Sequence, residues 1–302
     1  MDVQRLRLLR ELADRGSVTA VAAALSFTPS AVSQQLKALA QEVGLTLTEP
    51  AGRGLRLTAA GRALVAEAEA VLTALARADA AVERLRTTPG GPVRIALFPS
   101  GARMLLPGLL RRLAAVPEVR PVCRDVDLTP ADVAALAADF DVVVSHRDET
   151  APPPATDRWL VVPLLREPLD VVLPPGHPLA ARPRLGLDEL TGEPWISVEV
   201  GWPVDDVLRT LAVRTGHTPR VVQRINDFSV TAELVATGHG IALLPRYSTG
   251  DQGDRLARRP LAGVRAARLV EAVLRTSTAE RPAVQTVLRA LRAEADAITA
   301  RG

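Results

Sequence analysis

The chain is 302 residues long, 47% hydrophobic and 24% charged, with a formal net charge of +3. At ~100–200 residues per domain, that length suggests two or three domains, with ample chain to bury a core. The single cysteine, Cys123, excludes an intrachain disulfide, a two-cysteine redox switch within one chain and a four-cysteine metal site.

The basic side chains are 36 arginines and one lysine, Lys37, and this arginine excess, like the alanine excess, reads as compositional bias. His146, His177, His217 and His239 stand in no His-x-x-x-His spacing and there is no Cys-x-x-Cys, so no metal site and no cofactor is expected. The start, Met1-Asp2-Val3-Gln4-Arg5, is charged and no apolar run follows, which argues against a signal peptide. No segment approaches the ~20 apolar residues of a spanning helix. The expectation is a cytoplasmic protein with no membrane partner.

Leu6, Leu8, Leu9 and Leu12 define one side of a first helix ending near Gly16. Ser17 is an N-cap for a second helix over residues 18–25, whose Ala22-Ala23-Ala24 face lets another helix approach closely. After the turn Ser26-Phe27-Thr28, Thr28 caps a third helix and Pro29 opens it; the helix runs to about Val43 and stops at Gly44. Two short helices joined by a tight turn make a helix-turn-helix.

The third helix turns Ala31, Val32, Leu36 and Leu39 inward and Ser30, Ser33, Gln34, Gln35 and Lys37 outward. Short hydroxyls and amides suit base edges in the major groove, and Lys37 suits a phosphate. Alone, this face reads more simply as a solvated surface. The basic hairpin Arg53-Gly54-Leu55-Arg56-Leu57-Thr58 tips it towards double-stranded DNA, with Arg53 and Arg56 on the flanking backbone. Residues 1–62 carry eight basic and five acidic side chains, whereas 63–88 sum to −1 and 89–302 to +1.

From Gly16-Ser17-Val18-Thr19-Ala20 through Ser26-Phe27-Thr28-Pro29-Ser30-Ala31-Val32-Ser33-Gln34-Gln35-Leu36, the chain resembles LysR-type bacterial transcriptional regulators. Leu57-Thr58-Ala59-Ala60-Gly61 fits that family's Leu-Thr-x-x-Gly pattern. Two positions depart: Leu39-Ala40 stands for a usual Leu-Glu, and Leu47-Thr48-Glu49-Pro50 for Leu-Phe-x-Arg, which removes an arginine suited to phosphate.

Residues 59–86 hold no proline and only Gly61, so they read as one long helix of about 42 Å at ~1.5 Å per residue. Thr87-Thr88-Pro89-Gly90-Gly91-Pro92 breaks it. Leu64, Ala68, Val71, Leu75, Ala78, Val82 and Leu85 alternate at spacings of four and three, a heptad stripe suited to a homodimer seam. Packing on its own domain is the alternative. The resemblance adds pairing of dimers into a homotetramer.

Beyond the break, apolar runs at 93–98, 141–145, 169–173, 195–198 and 241–245 alternate with helices, predicting a parallel, doubly wound sheet. Ligands of such sheets sit beyond the carboxyl ends of the strands. The candidates there are Ser100, Gly101, Ser145, His146, Trp202, Phe228, Ser229 and Val230, each with a capping, surface or packing role as its alternative. Asp205 and Asp206 point apart on a helix and read as surface residues, and Cys123 as a buried small hydrophobe.

The run from Val235 to Pro245 resembles the family's Val-x-x-Gly-x-Gly-Ile-x-x-x-Pro signature. The resemblance implies an α + α/β protein: an N-terminal winged helix-turn-helix (1–58), a linker helix (59–88) and a two-lobed periplasmic-binding-protein-like domain (89–302). Lobe I would span about 93–165 and 266–302, lobe II about 166–265, with crossings near 164–167 and 265–269. The function implied is a DNA-binding regulator answering a small-molecule effector, with a polar or anionic metabolite favoured. A small-molecule receptor and an α/β enzyme are the alternatives. The receptor lacks an export signal, and the enzyme lacks a Gly-x-Ser-x-Gly elbow or a zinc cluster.

Overall fold

The computed structural model describes every residue except 52, 53, 86–89, 130, 131, 153–157, 251 and 302. Helices α1 (Val3–Arg15), α2 (Val18–Leu25) and α3 (Pro29–Val43) open the chain. Each starts on a polar side chain that accepts from a backbone N–H: Asp2 from Gln4, Ser17 from Ala20 and Thr28 from Ala31. Strands β1 (Thr48–Ala51) and β2 (Gly54–Leu57) pair antiparallel, and α4 (Ala59–Arg84) leaves them. Gly61 allows the close approach of α4, because an added Cβ would collide with the Leu47 carbonyl oxygen. Leu9, Val21, Val32, Leu36 and Leu39 share one core with Val65 and Ala68 of α4.

That core divides the heptad stripe. Leu64 and Ala68 pack inside their own N-terminal module, as the alternative reading held. Val71, Leu75, Val82 and Leu85 are 44%, 40%, 62% and 87% exposed, an apolar face that nothing described in the chain covers.

The rest of the chain runs β3 (Gly91–Leu97), α5 (Pro99–Leu113), β4 (Val119–Asp125), α6 (Val133–Asp139), β5 (Val142–Asp148), β6 (Trp159–Leu173) and β7 (Pro194–Ser197). It continues as α7 (Pro203–Thr215), β8 (Arg220–Arg224), α8 (Phe228–Ala236), β9 (Ile241–Pro245), β10 (Ala257–Pro260), β11 (Ala267–Arg275), α9 (Thr276–Ala279) and α10 (Pro282–Arg301). The order across the sheet is β4-β3-β5-β11-β6-β9-β7-β8, with β10 also on β6.

The expected all-parallel sheet is corrected here. Strands β3, β4 and β5 are parallel, as are β7, β8 and β9. By contrast, β11 is antiparallel to β5 and β6, and β6 to β9 and β10. The reason is that β6 and β11 carry the chain between two halves instead of closing helical crossovers. The first part of β6 pairs with β11 and residues 169–172 pair with β9. A register shift between Val270 and Glu271 leaves Leu164 without a partner, next to Pro163, which lies opposite Glu271 and has no N–H for the ladder.

Each half has its own core. Val93, Ile95, Leu105, Val143 and Val287 fill one. Leu169, Val171, Trp195, Leu208 and Leu243 fill the other, with Val172, Ile196 and Leu244 in a second layer. Cys123 is half-buried rather than buried, and burial pushes its thiol pKa up.

Charge, not apolar surface, dominates the contact between the N-terminal module and the rest. Arg275, at the end of β11, donates to Glu11 at 2.7 Å and to Asp14 at 2.5 Å on α1. Arg158 also pairs with Asp14, and Arg15 donates to Asp139 at 2.8 Å and to the Ala138 carbonyl at 2.9 Å. On α4, Glu69 accepts from Ser277 at 2.9 Å and Thr276 at 3.1 Å.

Burial alone would raise the Glu11 carboxyl pKa. The hydrogen bond and charge of Arg275, with the charge of Arg10, override it and hold the group at about 2. A folded pKa below the unfolded value contributes stability above roughly pH 5 and loses it as pH falls towards 2. Glu11→Gln strands buried arginines, so it is expected to cost about 3–5 kcal/mol at pH 7. In denaturant titrations the gap to wild type should close between roughly pH 5 and 2; a gap constant over that window contradicts the account.

Candidate functional site

Two surfaces collect the residues singled out above. On the first, the helix α3 presents Ser30, Ser33, Gln34, Gln35 and Lys37 to solvent, while Val32, Leu36 and Leu39 are buried behind them. The Thr28 hydroxyl is occupied as a cap, accepting from the Ala31 N–H at 3.2 Å. The Gln35 amide is oriented by α1, its oxygen accepting from Arg5 at 2.9 Å. Ser33 and Lys37 share a groove with Thr48 and Leu55, so the hairpin lies alongside α3. Arg56 is exposed and meets Glu49 across the hairpin at 2.9 Å. Arg53 lies outside the described residues.

The second is a cavity of about 370 Å³ between the two halves of the C-terminal domain. Ser100, His146, Trp202, Phe228 and Ser229 line it together with Arg268, Arg103 and Ser248. Gly101, Ser145 and Val230 do not line it. Gly101 packs under the Phe98 ring, which occupies the space a Cβ would need. Val230 is on the outside, 46% exposed. Ser145 and His146 sit within β5 rather than in a loop after it, and strand alternation turns Ser145 to the other face.

The sequence reading missed the floor of this cavity. Arg268 is 2% exposed and Glu167 fully buried. The Arg268 Nε donates to Glu167 Oε2 at 2.8 Å, and its Nη2 to Ser100 Oγ at 3.0 Å and Ser248 Oγ at 2.8 Å. The other Glu167 oxygen accepts from the Tyr247 and Ser248 N–H groups at 2.9 and 2.6 Å. The guanidinium also lies over Phe98 at 4.8 Å and near Phe228 at 5.7 Å. One signal in the sequence could have pointed here: Glu167 and Arg268 each stand beside a mostly apolar stretch, Leu169–Leu173 and Leu269–Leu274, and a charge buried there must find a partner.

His146 is buried with its Nδ1 unpartnered, edge-on to Phe98 at 4.5 Å and tilted to Trp202 at 6.3 Å. Helices α5 and α7 begin at the cavity wall with Phe98 and Trp202 as uncapped N-caps, whereas Asp227 caps α8. Both helices open on a proline, so their first N–H groups are those of Ser100 and Val204, in a space walled by Phe98, Trp202 and Phe228 together with polar side chains such as Arg103, Asp127 and Asn226. The site can hold a small molecule whose apolar body lies on Phe98, Trp202 and Phe228 and whose polar end meets the hydroxyls of Ser100 and Ser248.

Asp205, expected at the surface, is buried: α7 packs its first turn inward and Arg224 meets the carboxylate at 2.8 Å. Asp206 pairs with Arg209 outside. Among the described residues no group of three or more His, Cys, Asp or Glu side chains is placed to hold a metal ion. No helix described is long and apolar enough to cross a membrane.

Burial, and then the charge of Arg268, push the His146 pKa well below 6.5. Its imidazole is therefore expected to be neutral at pH 6.5 and above. An NMR titration of the ring Cε1–H should be flat there in wild type and lose only this resonance in His146→Asn; a titration step near pH 6.5 contradicts the assignment.

Comparison with known proteins agrees at both ends of the chain. The family model for "Bacterial regulatory helix-turn-helix protein, lysR family" matches residues 3–62, and that for "LysR substrate binding domain" matches residues 86–296. The small neutral protease regulatory protein of Streptomyces coelicolor is 34% identical over 271 residues, spanning 86% of this chain and 82% of that one. A full-length OxyR variant from Pseudomonas aeruginosa superimposes with a TM-score of 0.66 at 20% identity, covering 97% of this chain and 95% of that one. Full-length CbnR complexed with its target DNA gives a TM-score of 0.56 at 20% identity, covering 97% and 100%. These two structures speak for the fold alone. The helix-turn-helix, the two-lobed domain and the family matches lead to one assignment: the chain belongs to the LysR family of transcriptional regulators, proteins that bind DNA and small-molecule effectors and are not enzymes.

Proposed function

We propose that this regulator reads DNA with α3 in the major groove and the β1–β2 hairpin on the flanking backbone. Ser30, Ser33, Gln34 and Gln35 would meet base edges, and Lys37, Arg53 and Arg56 phosphates, with Thr28 fixing the start of the helix. The observation that carries this is the polar, exposed outer face of a helix held rigidly from behind and set beside a hairpin. A DNA partner also favours the cytoplasm over the receptor alternative.

The exposed stripe Val71, Leu75, Val82 and Leu85 supports a homodimer through α4, which sets two reading helices on two half-sites. Pairing of dimers into a tetramer rests on the family alone. The effector is assigned to the interlobe cavity, on Ser100, His146, Trp202, Phe228 and Ser229, with Arg268 added. The separate cores support a boundary near 89 and lobes meeting near 165/166 and 265/266, whereas the division at 58/59 has no such support, because Val65 and Ala68 of the linker helix belong to the core of the N-terminal module. The strand β11 is proposed as the link: Arg268 near one end faces the cavity and Arg275 at the other grips α1.

Two measurements on DNA from the region upstream of its gene test this reading. Gln34→Ala is expected to flatten discrimination between that DNA and random duplex by about 1–3 kcal/mol. Arg56→Ala should weaken all duplexes alike and reduce the salt slope by about 1. Equal footprints for wild type and Gln34→Ala sink the base-reading assignment. Leu75→Glu with Val71→Glu, both at exposed sites, should yield a folded monomer in sedimentation; an intact dimer refutes the seam.

A further inference from the structure

A second cavity of about 640 Å³ opens beside the first, between α5, the end of α10 and the chain after β9. Four arginines line it: Arg103, Arg246, Arg258 and Arg301, with Tyr247 and Ser248 between them. Among the described residues no acidic side chain lines it.

Their compensation is thin. Arg246 and Arg258 share one carboxylate, Asp170, which Arg246 holds in a fork at 2.8 and 2.7 Å while Arg258 stands 3.5 Å away. Arg301 is 3.5 Å from Glu294, which also pairs with Arg112 at 2.9 Å and Arg111 at 3.8 Å. Arg103 donates at 3.0 Å to the Ser229 hydroxyl, a neutral acceptor. Burial lowers the Arg258 pKa below the ordinary arginine value, with Asp170 only partly opposing it.

Four guanidinium groups around one concavity repel one another unless an anion enters. Their planar forks match phosphate oxygens, and several forks favour several negative charges over one. We propose that this arginine-walled cavity is a binding site for a small, multiply charged anion of the phosphate class, separate from the effector cavity. Arg103 and Ser248 line both spaces, and Ser248 also holds Arg268. An anion that draws Arg103 away from Ser229 alters the wall of the effector cavity, so the two sites are coupled.

The test is calorimetric titration of the full-length protein with sodium pyrophosphate, with ionic strength matched by sodium chloride. Saturable binding is expected, at least tenfold weaker in Arg301→Gln and weaker again when Arg103→Gln is added. Arg301 is 64% exposed, so the single variant should fold, and an unchanged thermal melt checks this. Heat no greater than the chloride control, or equal affinity in wild type and Arg301→Gln, overturns the proposal. So does binding that survives Arg301→Gln but is lost in Lys37→Gln, which places the anion on the DNA-reading face.

Discussion

Arg268 and Glu167 sit on the two strands that pass between the lobes, both sealed from solvent, 2.8 Å apart. Neither charge can stay buried without the other. Their remaining hydrogen bonds reach Ser100 at the start of α5 and Ser248 beyond β9, one on each lobe. The pair therefore fixes where the lobes stand relative to each other and leaves Ser100 and Ser248 with hydroxyl protons to offer. An occupant that engages those hydroxyls acts on the same bonds that set the angle between the lobes. That is the differential interaction a ligand needs if it is to shift a conformational equilibrium.

The strand β11, the proposed link, would carry this local event to the DNA-binding module. Arg275 lies seven positions beyond Arg268, roughly 23 Å at ~3.3 Å per residue, and the strand is paired on both sides along most of that length. Arg275 ends in the cluster formed by Glu11, Asp14 and Arg158, and α9 continues directly onto Glu69 of α4. An interface built from charges differs from an apolar one. On separation its groups regain water, so the closed and open arrangements lie nearer in free energy than those of a hydrophobic seam of the same size. Such an interface suits a joint that must open.

Much of this was legible in the chain. Caps at Ser17 and Thr28, the stop at Gly44 and the four-three spacing of apolar residues located the N-terminal helices because each is a local signal. The resemblance put the two crossings near 164–167 and 265–269, yet the first part of β6 was not seen as strand, since Pro163 and Pro168 and the Arg166-Glu167 pair break its pattern. The floor of the cavity was missed for a related reason: Glu167 and Arg268 are 101 positions apart, and only the antiparallel crossing brings them together. Ser145 and His146 were assigned together because they are adjacent in sequence, but alternation along β5 sends them to opposite faces. The heptad stripe was sound as periodicity; what it could not reveal is that its first members are consumed by their own module.

The central claim is that the effector cavity and the DNA-reading helix are joined through β11 and its ionic contacts to α1 and α4. Coupling of this kind is reciprocal, so DNA occupancy must be felt by the sensor. Amide hydrogen exchange of the full-length protein, with and without duplex from its own upstream region, tests this without knowledge of the effector. The account predicts altered exchange in α3 and the hairpin, and also in β11 and α9. Changes confined to residues 1–62 would contradict it.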